Sequence, residues 1–318
     1  HPALDIARPP DPARAIARQS VENLLVIADD EAYCQPCVSP VWDTALAAHA
    51  MLEVGSDQAL ERADRALDWL RPRQVLDVAG DWADQRPDVR PGGWAFQYNN
   101  DHYPDLDDTA VVAMAMDRAA DRRGGADEEA IARAREWCEG LQINDGGWAA
   151  FDADNDKHYL NNLPFADHGA LLDPSTADVC ARVISMLAQL GEPLDAPRMQ
   201  VGLAWLEKEQ EAEGSWFGRW GVNYIYGTWS VLCALGRAGI DREHPMIAKA
   251  VAWLKAIQNP DGGWGESCDS YALDRKGHES APSTASQTAW AVLGLMAVGE
   301  VGSPEVERGI RWLTSHQE

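Results

Sequence analysis

The sequence predicts an all-α fold, an incomplete (α/α)6 toroid of helix pairs, from three observations. First, a Trp followed five residues later by Gln, and then by a Gly-x-Trp turn, recurs along the 318 residues. Second, each copy ends an amphipathic stretch whose apolar residues recur at intervals of three and four. Third, a more apolar helical stretch precedes each of these. Repeated helix pairs are typical of solenoids and α/α toroids.

Five helix pairs are predicted in chain order, each with an apolar inner helix and an amphipathic outer helix. The inner helices are predicted over residues 44–52, 109–119, 177–190, 228–235 and 284–298, and the outer helices over 60–70, 130–141, 199–206, 247–257 and 306–313. A further helix over residues 15–27 looks like an outer helix without a partner, so the ring of six is expected to be incomplete. No stretch alternates long enough to predict a strand.

The repeat is most regular at the turns after the outer helices, where Trp and Gly recur. The copies are Trp69, Gln74 and Gly80–Trp82; Trp137, Gln142 and Gly146–Trp148; Trp205, Gln210 and Gly214–Trp216; and Trp253, Gln258 and Gly262–Trp264, with Trp312 and Gln317 beginning a fifth. These units and Trp94 account for ten of the 14 Trp. We interpret the Trp of the turns as packing one repeat onto the next.

Composition narrows the classes of function. The net charge is −24, from 51 acidic and 27 basic residues. This charge argues against binding to nucleic acid, because proteins that bind nucleic acid carry basic patches. No apolar run is long enough to span a membrane, and the N-terminus lacks the features of a signal peptide. Cys34 and Cys37 form a C-x-x-C pair, but no second pair follows at zinc spacing, so no metal site is predicted.

Three carboxyl groups lie within four residues, at Asp105, Asp107 and Asp108, and Thr109 begins a helix directly after them. Like charges at this spacing cannot all ionise easily, so at least one proton is expected to stay at neutral pH. A retained carboxylic acid at the head of a helix is a candidate Brønsted acid. The competing interpretation is an ordinary helix cap, for which Asp and Thr are common.

The starts of the other inner helices carry related chemistry. Asp43, Asp178 and Tyr226 each lie at such a start, and in a toroid these ends gather at one mouth. Aromatic residues are predicted near the same mouth, where π-faces exclude water and stabilise cations; they are Trp42, Trp94, Phe96, Tyr98, Phe151, Trp216, Phe217 and Trp220. Core packing explains several, but Trp42, Phe96 and Trp220 lie outside the Gly-x-Trp pattern.

Together these residues resemble the bacterial squalene–hopene cyclases, members of the class II triterpene cyclases. The Trp-x4-Gln and Gly-x-Trp units match that family's Gln-Trp motif, and Asp105–Ala110 matches its D-x-D-D-T-A protonation motif. The segments 39–44, 92–97 and 214–228 also read like family segments. The resemblance covers essentially the whole chain and implies cyclisation of squalene to hopene- or diplopterol-type triterpenes, in hopanoid biosynthesis.

The resemblance also implies a role for each candidate residue. Asp107 would protonate the terminal alkene of squalene, while Asp105 and Asp108 would hold its geometry and share the remaining charge. Arg182 falls where some members place a His bonded to this acid, and a permanent cation there favours the anion. The other candidates are a polar shell of Asp43, Asp178 and Tyr226, and cavity aromatics Trp42, Phe96, Trp220 and Phe151, the last of which is Tyr in some members. No metal or cofactor is implied.

The resemblance implies limits as well. Family members have two α-helical barrels and about twice this length, so residues 1–318 are expected to be one catalytic barrel domain, truncated at both ends, with the second barrel absent. Peripheral membrane contact on the cytoplasmic side is expected of the full-length bacterial form.

Three other functions stay open at this point. A prenyltransferase β subunit shares the toroid but needs a zinc site of Asp, Cys and His. An inverting glycosidase would pair two separated carboxyls, such as Asp107 and Asp178. A non-catalytic or degenerate toroid is expected if the barrel cannot close.

Overall fold

The computed structural model describes residues 12–28, 30–34, 38–155, 157, 159–160, 172–272 and 277–317. The chain divides into two compact units, His1–Pro40 and Val41–Glu318. Cys37, the second Cys of the C-x-x-C pair, lies outside the described residues.

The helix predicted over residues 15–27 is wrong at its C-terminal end. Helix α1 spans Pro12–Glu22, and an antiparallel hairpin of β1 (Leu25–Ile27) and β2 (Ala32–Cys34) follows it. Two of the three residues of β1 are β-branched, and such side chains favour a strand over a helix. The expectation that no strand forms is wrong for the same segment.

The larger unit holds five consecutive helix pairs in its described residues. In chain order they are α2 (Pro40–Val54), α3 (Asp57–Leu70), α4 (Leu106–Arg118), α5 (Glu128–Gly140), α6 (Ala177–Gln189), α7 (Pro197–Lys208), α8 (Tyr224–Arg237), α9 (Pro245–Ala256), α10 (Ala285–Ala297) and α11 (Pro304–Ser315). The even-numbered helices are the inner ones; α4 packs on α6, α6 on α8 and α8 on α10. The predicted all-α toroid is confirmed, and its described helices do not close a barrel.

The two kinds of helix bury their surfaces differently, as their patterns predict. Every residue of α4 from Leu106 to Met116 is buried. In α3, by contrast, the buried residues are Ala63, Leu67 and Leu70, which form a single stripe at helical spacing. The inner helices therefore supply much of the core, and many of the buried polar residues lie where the inner helices begin.

The Gln of each repeat joins one outer helix to the next. Gln210 donates from Nε2 to the carbonyl of Gly214 in its own turn, at 2.9 Å, and to that of Met246 in the first turn of α9, also at 2.9 Å. Gln142 and Gln258 make the equivalent pairs of hydrogen bonds. Each such amide therefore ties its own turn to the first turn of the next outer helix.

The first copy of the repeat uses a different turn from the predicted one. Gln74 donates to the carbonyl of Gly92 at 2.7 Å, not to the turn at Gly80. The indole of Trp94 donates to the Leu70 carbonyl at 2.8 Å, as the Trp of the later turns do to their own outer helices. An inserted loop therefore separates this Gln from its turn, and Gly80–Trp82 only resembles one in sequence.

Among the described residues, no helix is both long enough and apolar enough to cross a membrane.

Candidate active site

A cavity of about 480 Å³ opens where the inner helices begin. Its wall combines carboxyl groups with aromatic rings and a few amides. The lining residues are Trp42, Leu46, Phe96, Gln97, Asn100, Asp105, Asp107, Asp108, Ala150, Phe151, Trp220, Gly221, Tyr226, Trp229 and Trp290.

The acidic segment is placed by a short β-ladder and a helix cap. Strand β3 (Trp94–Ala95) pairs with β4 (Pro104–Asp105), so that Asp105 stands at the N-cap of α4. Its Oδ1 accepts the backbone N–H of Asp108 at 2.7 Å. The hydroxyl of Thr109 donates to the Asp105 carbonyl at 2.6 Å and accepts the Trp94 backbone N–H at 2.8 Å. Asp105 therefore provides the helix cap, and the acid interpretation stays a prediction for the other two carboxyl groups of the segment.

All three carboxyl groups are buried, which raises their pKa values. Burial raises the pKa of Asp108 to about 11, and the charges and hydrogen bonding of its two neighbours add to the effect. Burial also raises the pKa of Asp105 to about 7, against the hydrogen bond from the Asp108 backbone. The pKa of Asp107 is raised by burial despite the opposing charge of Arg182. These directions agree with the prediction that the segment keeps a proton at neutral pH, with burial as the larger cause and the neighbouring charges as the smaller one.

Arg182 lies behind Asp107, on the neighbouring inner helix α6. Its Nε donates to Asp107 Oδ1 at 2.8 Å, and both side chains are nearly buried. The guanidinium carbon lies 5.6 Å from the ring centre of Trp42 and 5.0 Å from that of Trp229. A buried cation in contact with the carboxyl stabilises the anion that a proton transfer would leave.

The predicted polar shell is divided between the cavity and its surroundings. Tyr226 lines the cavity and is buried, which raises the pKa of its hydroxyl above the usual range. The lining residues in the described chain do not include Asp178 or Asp43. Asp178 is buried and accepts the backbone N–H groups of Arg219 and Trp220 at 2.9 and 2.8 Å, so it holds the loop that carries Trp220. Asp43 is exposed in the first turn of α2.

The predicted cavity aromatics Trp42, Phe96, Phe151 and Trp220 line the cavity. The lining residues do not include the other four aromatic residues predicted near the mouth, which are Trp94, Tyr98, Trp216 and Phe217. Phe151 meets Trp220 edge to face, with ring centres 5.7 Å apart. Trp220 is 48% exposed, so this contact lies at the mouth and not at the base.

Sequence reasoning missed Trp229 and Trp290, whose rings stack at 5.9 Å in the same wall. A signal for them was present. Of the 14 Trp, the four outside the repeat and its neighbour Trp94 are Trp42, Trp220, Trp229 and Trp290, and all four line the cavity. The Trp that the repeat does not explain are therefore the ones at the site.

A second buried carboxyl group was also missed. Glu266 accepts the backbone N–H groups of Asn223, Tyr224 and Ile225 at 3.0–3.1 Å, which are the unpaired donors at the start of α8. Gln287 in turn bonds to both backbone groups of Glu266. This contact fixes the helix that carries Tyr226 and Trp229, and no local pattern could predict it because the partners lie more than forty residues apart.

In the described part of the chain, no group of three or more His, Cys, Asp and Glu side chains is arranged to hold a metal ion.

Comparison with known proteins gives one consistent family. Residues 38–318 match the squalene–hopene cyclase C-terminal domain. The squalene–hopene cyclase of Zymomonas mobilis is 64% identical over 315 residues, covering 96% of this chain and 48% of that protein. The squalene–hopene cyclase of Schizosaccharomyces japonicus is 56% identical, covering 97% and 47%. The chain thus spans about half the length of the curated relatives it matches.

A solved structure gives the same fold at low sequence identity. The type II terpene cyclase MstE from Scytonema superposes with a TM-score of 0.60 at 22% identity, covering 87% of this chain and 70% of that one. At this identity the likeness concerns the fold alone.

Proposed function

This chain belongs to the squalene–hopene cyclase family, carrying its C-terminal domain, and we propose that it supplies the acid site of a protonation-initiated triterpene cyclisation. One observation carries the proposal: a cluster of buried carboxyl groups, one in contact with a buried Arg, faces a cavity walled by aromatic rings. An N-cap needs one carboxyl, and here Asp105 alone provides it. The other two are then available for proton chemistry.

The reaction begins with a proton transfer from the Asp107 carboxyl to a carbon of the terminal alkene of squalene. The π-electrons of the alkene form the new C–H bond and leave a tertiary carbocation, while Asp107 becomes a carboxylate. Arg182, at 2.8 Å from Asp107, stabilises that carboxylate. Asp108, which holds its own proton, adds no second negative charge beside it.

The aromatic wall acts on the later cations. Indole faces attract a positive charge, most strongly where water is excluded. The rings of Trp42, Phe151, Trp229 and Trp290 are partly buried in the cavity wall, while Trp220 is exposed at its mouth. A final proton loss or water addition ends the cascade and gives a hopene- or diplopterol-type product. The residues in this cavity need no cofactor for any of these steps.

The substrate is a linear apolar isoprenoid, and we infer squalene from two relatives named squalene–hopene cyclase, which are 64% and 56% identical. Delivery of squalene from a lipid bilayer implies peripheral membrane contact in the full-length protein, on the cytoplasmic side of a bacterial membrane.

The test is turnover of squalene dispersed in detergent, with products identified by gas chromatography and mass spectrometry. The wild-type chain is compared with Asp107→Asn and with Asp121→Asn, which changes an exposed Asp in the loop after α4. Cyclised product from the wild type and from Asp121→Asn, but not from Asp107→Asn, is expected.

The same three chains are then prepared with the N-terminal half found in the relatives. Equal product from Asp107→Asn and the wild type would refute the role of Asp107. Absence of product from every form, at full length as well, would refute the proposed function.

A further inference from the structure

The Arg182 side chain has an unusual set of partners for a buried cation. The side chain is nine-tenths buried, and its ion pair with Asp107 is made through Nε and not through a terminal nitrogen. The terminal nitrogen Nη2 is buried and has no hydrogen-bond partner in the described structure. A buried donor without an acceptor is costly, and a charged one more so. Something other than a hydrogen bond must offset that cost.

The rings that lie over Arg182 among the described residues belong to Trp42 and Trp229. The guanidinium carbon is 5.0 Å from the ring centre of Trp229, the shorter of the two distances. At this range the negative face of an indole attracts a guanidinium, and the attraction is strongest in desolvated surroundings. The two indoles come from different inner helices, α2 and α8, while Arg182 comes from α6.

We propose that Trp229 is a positioning residue for the acid site, and that its indole, with that of Trp42, holds the Arg182 guanidinium against Asp107. The proposal rests on the proposed function, because it concerns how the strength of that acid is set. Without the indole face, the guanidinium would move towards solvent to satisfy Nη2. Asp107 would then lose part of the charge that stabilises its anion, and would become a weaker acid.

Trp290 supplies a matched control. Its ring stacks on Trp229, with centres 5.9 Å apart and an angle of 17°, and it lines the same cavity. It contacts Tyr226 at 4.9 Å and lies outside the pair of rings over Arg182. A loss of cavity surface is therefore common to substitutions at both Trp, whereas the direct loss of a ring over Arg182 occurs only at Trp229. Among the described residues, Trp290 reaches Arg182 only through Trp229 and Tyr226.

Several other ionisable groups surround Asp107 and Arg182. They are Asp178 on α6, Tyr226 and Cys233 on α8, His49 on α2, and Asp105 and Asp108 at the start of α4. The signal of Asp107 must therefore be identified directly, by comparing spectra with those of Asp107→Asn.

The experiment follows the side-chain carbonyl carbons of 13C-labelled aspartate by NMR between pH 4 and 9, in the whole chain. In Trp229→Leu we expect the titration midpoint of Asp107 to rise by about one pH unit, the shift that Coulomb's law gives at an effective dielectric of about 20 when the separation of the two charge centres grows from about 4 Å to about 6 Å. Trp229→Phe, which keeps a ring face, should shift less. Trp42→Leu should shift the midpoint in the same direction as Trp229→Leu, from another helix.

A midpoint in Trp229→Leu equal to that of the wild type would overturn the proposal. Equal shifts in Trp229→Leu and Trp290→Leu would also overturn it, since the cause would then be the cavity surface. If Trp229→Leu does not fold, Trp229→Phe and Trp42→Leu give the same decision.

Turnover separates this proposal from the proposed function. In an active form, Trp229→Leu should lower kcat and move the pH profile with the NMR midpoint, and Trp290→Leu should act mainly on KM. A shifted midpoint in a chain that never turns over squalene would support the contact with Arg182 while refuting the reaction.

Discussion

Asp108→Asn tests whether a proton is stored in the acidic segment. Asn has nearly the same shape as a protonated Asp and does not titrate. In the folded chain the pKa of Asp108 is raised to about 11, by burial first and by the charges of its neighbours next, whereas an unfolded Asp ionises near about 3.9. Between these values the folded state binds one more proton than the unfolded state, so the group lowers the free energy of unfolding as the pH rises.

The slope follows from linkage. One extra proton in the folded state lowers the free energy of unfolding by about 1.4 kcal/mol for each pH unit, which amounts to about 4 kcal/mol between pH 5 and pH 8. Asp105, whose pKa is raised to about 7, adds a loss of the same sign up to that pH. In Asp108→Asn the first contribution disappears, whereas burial and the charge of Asp107 still raise the pKa of Asp105.

Urea unfolding of the wild type and of Asp108→Asn, at pH 5, 6, 7 and 8, measures this difference. The variant should be close to the wild type at pH 5 and more stable than it by several kcal/mol at pH 8. Asp121→Asn, at an exposed position, should follow the wild-type slope. Parallel pH dependences for Asp108→Asn and the wild type would mean that Asp108 is ionised in the folded chain, and the reasoning would fail.

Three further substitutions test the scaffold, each by urea unfolding at constant pH. Gln210→Ala removes hydrogen bonds to two carbonyls and should lower the free energy of unfolding by about 1–3 kcal/mol. The control Gln200→Ala removes an exposed hydrogen bond and should lower it by less than about 0.5 kcal/mol. Similar losses in the two variants would contradict the role of the repeat. Gly93→Ala places a Cβ 2.7 Å from an indole ring and should lower the free energy of unfolding by about 1–3 kcal/mol. In the control Gly302→Ala the new Cβ meets open space. Equal stabilities of the two variants would refute the clash. Glu266→Gln leaves backbone N–H groups at the start of α8 short of acceptors and should cost about 2 kcal/mol, with an accompanying loss of turnover; an unchanged free energy of unfolding would contradict the capping.

The sequence by itself determined the local features of this protein. Apolar spacing predicts the helix pairs, because a helix must bury one stripe of its own surface. The acidic segment predicts both a cap and a retained proton, because carboxyls within four residues interact in any fold that buries them. The repeat also separates Trp42 and Trp220 from the Trp that pack, whereas Trp229 and Trp290 were assigned to the cavity only by the structure.

Tertiary structure alone decided the contacts between distant segments. Arg182 contacts Asp107, which lies 75 residues earlier in the chain. Gln74 donates to the carbonyl of Gly92 and not to the turn at Gly80. Glu266 caps helix α8, which begins more than forty residues before it. The resemblance to a family suggested the first of these contacts and neither of the others. The physical reason is that a hydrogen bond depends on where two atoms lie in space, whereas helical periodicity and crowding depend only on separation along the chain.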